Sequence, residues 1–176
     1  ATRLTATGAL VGSPAHMAPE VIDGKPADHR ADIFSLGTIL FWLCTGRLPF
    51  EGPHPSALFR QILEGRHEDP RALNPKIGRR LSRIMERCLV PDPDARFETA
   101  EDLREALLAE RISVPLTPAE AKARALLLDP EAFEEQHRET FSRRLFEAAT
   151  TAAAANRAAA AADAVNRLLA HVPAHP

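Results

Sequence analysis

Asp28-His29-Arg30-Ala31-Asp32-Ile33-Phe34-Ser35-Leu36-Gly37-Thr38-Ile39-Leu40-Phe41-Trp42-Leu43-Cys44-Thr45-Gly46 is the stretch on which the fold turns. Asp32 is a residue type that caps helix N-termini, Gly46 is one that ends helices, and Pro49 follows soon after. Between these signals Ile33, Phe34, Leu36, Ile39, Leu40, Phe41, Trp42, Leu43 and Cys44 fall on every side of a 3.6-residue period. A helix that is apolar all round is buried, so the stretch predicts a submerged central rod over 33–44. At roughly 1.5–3 kcal/mol per large buried side chain, it contributes on the order of 10 kcal/mol before ordering entropy is subtracted.

Further helices follow from the same period. Leu58, Phe59, Ile62 and Leu63 mark an amphipathic second helix, and Leu81, Ile84, Met85, Cys88 and Leu89 trace the stripe of a third. Thr99 with Asp102 makes a capping-box start for a fourth, which buries Leu103 and Leu107. No alternating apolar run is long enough for a strand. The predicted fold class is all-α.

Glycine and proline divide the chain. All eight glycines lie at or before Gly78, and neither glycine nor proline occurs between Pro130 and Pro173. Residues 1–111 read as a compact helical domain with functional loops, 112–118 (Ile-Ser-Val-Pro-Leu-Thr-Pro) as a linker, and 119–176 as an Ala-rich helical extension. The first residue is Ala1 rather than Met, so the sequence reads as a piece of a longer chain.

Charge and composition exclude several classes. The chain's 176 residues carry 22 Lys and Arg against 24 Asp and Glu, too even a balance for a nucleic-acid binder that works by bulk charge. Cys44 and Cys88 sit in apolar helical runs, which argues for reduced thiols and a cytoplasmic setting rather than a disulfide framework. No apolar run reaches the roughly 18 residues that a membrane helix needs.

The segment Val11-Gly12-Ser13-Pro14-Ala15-His16-Met17-Ala18-Pro19-Glu20 resembles the end of the activation segment of eukaryotic-like serine/threonine protein kinases, as found in bacteria, where a Gly-Thr-x-x-Tyr-x-Ala-Pro-Glu run forms the substrate loop. Order and spacing strengthen the match. Asp32-Ile33-Phe34-Ser35-Leu36-Gly37 resembles the family's Asp-x-Trp/Phe-Ser-x-Gly helix start, and Thr45-Gly46-Arg47-Leu48-Pro49-Phe50 the turn that ends that helix. Cys88-Leu89-x-x-Asp92-Pro93-x-x-Arg96-Phe97 is similar to the closing Asp-Pro-x-x-Arg motif. The resemblance covers residues 1–110 and is to the lower half of the large catalytic lobe, a helical bundle.

That resemblance implies a set of roles. Gly12, Ser13, Pro14, Ala15 and His16 form the substrate loop. Glu20 and Arg96 form an ion pair that holds the loop to the lobe, and Asp32 anchors backbone amides of the catalytic loop. Ser13 stands where the family has a threonine whose hydroxyl bridges the catalytic Asp and Lys; His16 stands where it has tyrosine. Thr5 and Thr7 are candidate autophosphorylation sites. The resemblance further implies ATP and Mg for the parent kinase and protein substrates as partners.

The sequence contains no Gly-x-Gly-x-x-Gly, no His-Arg-Asp and no Asp-Phe-Gly. No catalytic residue and no metal ligand is therefore assigned, and the chain alone is expected to bind neither ATP nor Mg and to be inactive. The upstream part of its own kinase domain is an expected partner. A pseudokinase or protein-docking module without catalysis is the alternative. In the extension, Leu127-Leu128-Asp129-Pro130 and Leu168-Leu169-Ala170-His171-Val172-Pro173 resemble tetratricopeptide-repeat ends, although their offset departs from the ~34 residues such repeats require. This makes the C-terminal helices a candidate protein contact.

Overall fold

The computed structural model describes residues 13–112 and 130–171, and among these residues it is all-α. The helices are α1 (Pro19–Ile22), α2 (Arg30–Thr45), α3 (Pro55–Glu64), α4 (Pro70–Leu73), α5 (Arg79–Cys88), α6 (Ala100–Ile112), α7 (Pro130–Ala154) and α8 (Ala158–His171). Single 3₁₀ turns occupy Pro14–His16 and Pro93–Ala95. Proline opens both turns as well as α1, α3 and α4, where its fixed φ suits a helix start and its missing N–H costs no bond.

Helix α2 starts earlier than expected. Its N-cap residue is His29, whose side chain caps nothing, and the amide of Arg30 donates to Asp28 Oδ1 at 2.8 Å. Asp32 is therefore a first-turn carboxylate, favoured there by the helix dipole, and not the cap. The other end is as expected: Gly46 takes φ 73° and returns its amide to the Trp42 carbonyl. The capping box of α6 also forms, with Thr99 N donating to Asp102 Oδ2 at 3.0 Å and Asp102 N to Thr99 Oγ1 at 3.1 Å.

Two apolar clusters flank α2. Phe34 and Phe41 join Phe50, Ile62, Ile77, Met85 and Leu89 on one side. Ile33 joins Ile84, Cys88, Phe97 and Leu103 on the other. Gly37 lies against α5, where an added Cβ would lie 2.5 Å from Cys88 Cβ.

The rod is not submerged all round, which corrects the sequence-based expectation. Leu36, Ile39, Trp42 and Leu43 are 47, 41, 50 and 68 % exposed, and with Asp32 they form one face. Among the described residues, the elements packed on α2 (α4, α5, α6 and the 14–16 turn) leave this face open. Apolar character set by sequence says that a side chain favours cover; it does not say which segment supplies it.

The extension forms an antiparallel hairpin. Its corner is the one break in the alanine run: Asn156 adopts φ 57°, Asn156 N bonds Ala153 O, and Arg157 N bonds Ala152 O. The hairpin docks on the bundle through polar groups. Asp163 accepts the Arg79 amide at 3.2 Å and pairs with Arg71 at 3.1 Å, while Arg167 Nε donates to the Lys76 carbonyl at 3.2 Å.

Candidate functional site

The site is built around Arg96, which follows the Pro93–Ala95 turn and is 2 % exposed. A guanidinium carries five N–H donors in a fixed plane and has no acceptor, so burying it demands five well-placed oxygens. All five are present. Nε donates to the Val90 carbonyl at 2.8 Å, Nη1 to Glu20 Oε1 and the Arg30 carbonyl at 2.9 Å each. Nη2 donates to Glu20 Oε2 at 2.8 Å and to the Pro91 carbonyl at 2.9 Å. The Phe34 ring lies beneath, its centroid 5.0 Å from Cζ, and Phe50 stacks on Phe34 at 5.8 Å.

Glu20, 6 % exposed, is the second residue of α1 and takes the guanidinium with both oxygens. One bidentate pair thus ties α1, the start of α2 and the 90–96 loop together, and α1 continues directly from the segment 13–18. Such a pair fixes orientation as well as distance.

That segment is itself stitched to α2. Ala15 is buried, the amide of His16 bonds the Ser13 carbonyl, and the amide of Met17 bonds the Pro14 carbonyl. Ser35 Oγ donates to the His16 carbonyl at 2.8 Å, and His16 Nδ1 lies 2.6 Å from Thr38 Oγ1. Ser13 is exposed at the head of the turn. Pro14, His16 and Met17 are half-buried, and Ala18 is buried like Ala15, so the segment lies against the helices with Ser13 outermost.

The comparisons with known proteins bear on the same residues. The protein kinase domain family matches residues 1–108. The chain belongs to the protein kinase family. Among similar proteins, the serine/threonine-protein kinase PksC of Streptomyces coelicolor is 34 % identical over 112 residues, covering 64 % of this chain and 20 % of that protein. The tyrosine-protein kinase MasK of Myxococcus xanthus is 37 % identical, covering 62 % of this chain and 17 % of its own length. The serine/threonine-protein kinase PrkC of Bacillus subtilis is 33 % identical, covering 58 % of this chain and 16 % of its own length. The chain spans about a fifth or less of the length of these kinases.

Of the site residues expected from sequence, Glu20 and Arg96 meet, and Ser13, Pro14, Ala15 and His16 form one turn above α2. Asp32 stands apart, exposed, its carboxylate without a hydrogen-bond partner among the described residues. Gly12, Thr5 and Thr7 lie outside the described residues. Sequence reading passed over Ser35 and Thr38, although polar residues inside an otherwise apolar helix need hydrogen-bond partners and so signal a built contact.

Among the described residues no group of three or more His, Cys, Asp or Glu side chains is placed to hold a metal ion. Nor is there a nucleophilic thiol. Burial pushes Cys88 up to about 12 and raises Cys44 as well, so both stay protonated near neutrality. Among the described residues no helix is long and apolar enough to cross a membrane.

Proposed function

We propose that this chain is the substrate-holding and structural part of a protein kinase that transfers the γ-phosphate of ATP to serine or threonine of other proteins. The observation that carries the reading is the buried Arg96, whose five donors bind Glu20 and three carbonyls and so hold the base of the loop 13–18. Phosphoryl transfer in kinases is mainly positioning and electrostatics, and a loop locked at its base positions the acceptor peptide. Relatives named as serine/threonine kinases support the acceptor class, while one named as a tyrosine kinase makes the acceptor residue a point for experiment.

The nucleotide, the magnesium ligands and the catalytic carboxylate come from the upstream part of the kinase domain. Asp32 and the exposed Leu36, Ile39, Trp42 and Leu43 form the seat for that part, with the Asp32 carboxylate free to accept backbone amides. Thr5 and Thr7 would carry regulatory phosphate. Exposed Phe146, Val165 and Leu169 make the C-terminal hairpin a contact for a protein partner. Two unpaired cysteines suit a reducing cytoplasm.

The test is phosphoryl transfer from labelled Mg-ATP to a general acceptor such as casein. The protein that includes the preceding part of the reading frame is expected to label serine and threonine, whereas this chain alone gives no calorimetric signal with Mg-ATP. Tight nucleotide binding by the chain alone would refute the division of labour. Absence of transfer by the longer protein would favour a docking module.

A further inference from the structure

We propose that His16 is a positioning residue, which fastens the substrate loop to α2 in a single tautomer by donating its Nδ1–H to Thr38. Its bearing on peptide binding rests on the kinase reading; the bond itself does not.

Thr38 is fully buried in the middle of α2. Its Oγ1 stands 2.7 Å from the Ser35 carbonyl and 2.6 Å from His16 Nδ1. A hydroxyl has one proton to give, and a carbonyl oxygen has none. If that proton went to the imidazole, Thr38 Oγ1 and the Ser35 carbonyl oxygen would face each other at 2.7 Å inside the protein with no hydrogen between them. The hydroxyl proton therefore belongs on the Ser35 carbonyl, Thr38 Oγ1 is left as an acceptor, and the hydrogen shared with the ring sits on Nδ1. The neighbouring Ser35 Oγ, 2.8 Å from the His16 carbonyl, holds the backbone of the same residue. Residue 16 is thus gripped at its ring and at its peptide group, both times by α2.

This also accounts for the departure from tyrosine. A phenol presents its hydroxyl at the far end of the ring, whereas Nδ1 adjoins the ring carbon that carries Cβ. A tyrosine with the same backbone could not place a donor where Thr38 needs one. His16 and Thr38 therefore act as a matched pair.

The chemistry predicts which substitutes work. In Asn the side-chain amide nitrogen sits at the distance from Cβ that Nδ1 has; in Gln it is one bond further. The experiment is long-range ¹H–¹⁵N spectroscopy of this chain at about pH 9, well above the ordinary histidine pKa, with amide exchange measured over residues 15–18. The expected result is the Nδ1–H form of His16, changed to the Nε2–H form by Thr38→Val. His16→Gln should speed exchange of those amides about tenfold, in line with one lost hydrogen bond, and His16→Asn by less than about threefold. An Nε2–H ring in the unaltered chain would overturn the proposal, as would equal acceleration by Gln and Asn. The spectrum of the unaltered chain decides the matter even if Thr38→Val fails to fold. Because none of these readouts uses activity, failure here is distinguishable from failure of the kinase reading.

Discussion

Arg96 shows what a single buried charge demands. Its side chain is fully enclosed, and it is tolerated because every N–H has an acceptor and Glu20 balances the charge. Removing Glu20 leaves the guanidinium uncompensated, so Glu20→Gln is expected to cost about 3–5 kcal/mol in urea unfolding. Arg96→Lys should cost a similar amount, since an ammonium cannot reach the same oxygens. A loss near zero in either variant would mean that the pair does not brace the fold. The partnership of residues 20 and 96 was legible only through motif resemblance, because nothing in their spacing brings them together. Asp28 was hidden for a different reason: two aspartates stand near the start of α2, and composition does not say which one accepts its first amide. Hydrogen bonds from the Arg30 side chain and amide hold the Asp28 carboxyl down to about 2, from the usual 3.8. A lowered carboxylate value means that its contribution is complete above about 3.8 and fades as pH falls toward 2. An NMR titration should find the Asp28 midpoint near 2, with Arg30 amide protection falling in the same window. A midpoint at the ordinary value would show that these hydrogen bonds are absent.

Gly37 decides how closely α2 and α5 approach. A methyl group there would lie 2.5 Å from Cys88 Cβ, a contact that requires one helix to move. Gly37→Ala gains up to about 1 kcal/mol of helix propensity but carries an overpacking cost of about 1–3 kcal/mol. We therefore expect net destabilisation in thermal unfolding, and an unchanged or raised melting temperature would contradict the packing. Element positions were largely readable from apolar period and caps, as at α5, where Ile84, Met85 and Cys88 are all buried. The short proline-led elements Pro19–Ile22 and Pro70–Leu73 escaped notice because they are too brief to show a period. Their signal was proline at the first helical position, preceded in the second case by the capping Asp69. Docking of the hairpin was not legible, because Asp163 and Arg167 on an alanine-rich helix look like solvated charges until the start of α5 is placed beside them.

At the scale of the whole molecule, the described residues form a helical bundle in which α2 keeps one apolar face open. Phe34, Phe41 and Ile33 of α2 are buried, while Leu36, Ile39, Trp42 and Leu43 of the same helix face outward. Sequence reading expected cover on every side of this helix, and this face has none among the described residues; in the proposed function it is the seat for the upstream part of the kinase domain. Trp42 is the chain's one tryptophan and is half exposed on that face, so its fluorescence reports cover there without any label. The direct measurement compares Trp42 emission and acrylamide quenching in this chain and in the protein that includes the preceding part of its reading frame, with any added tryptophan replaced by phenylalanine. Cover of this face gives a blue-shifted, quencher-protected Trp42 in the longer protein. Identical emission and quenching in the two would contradict it.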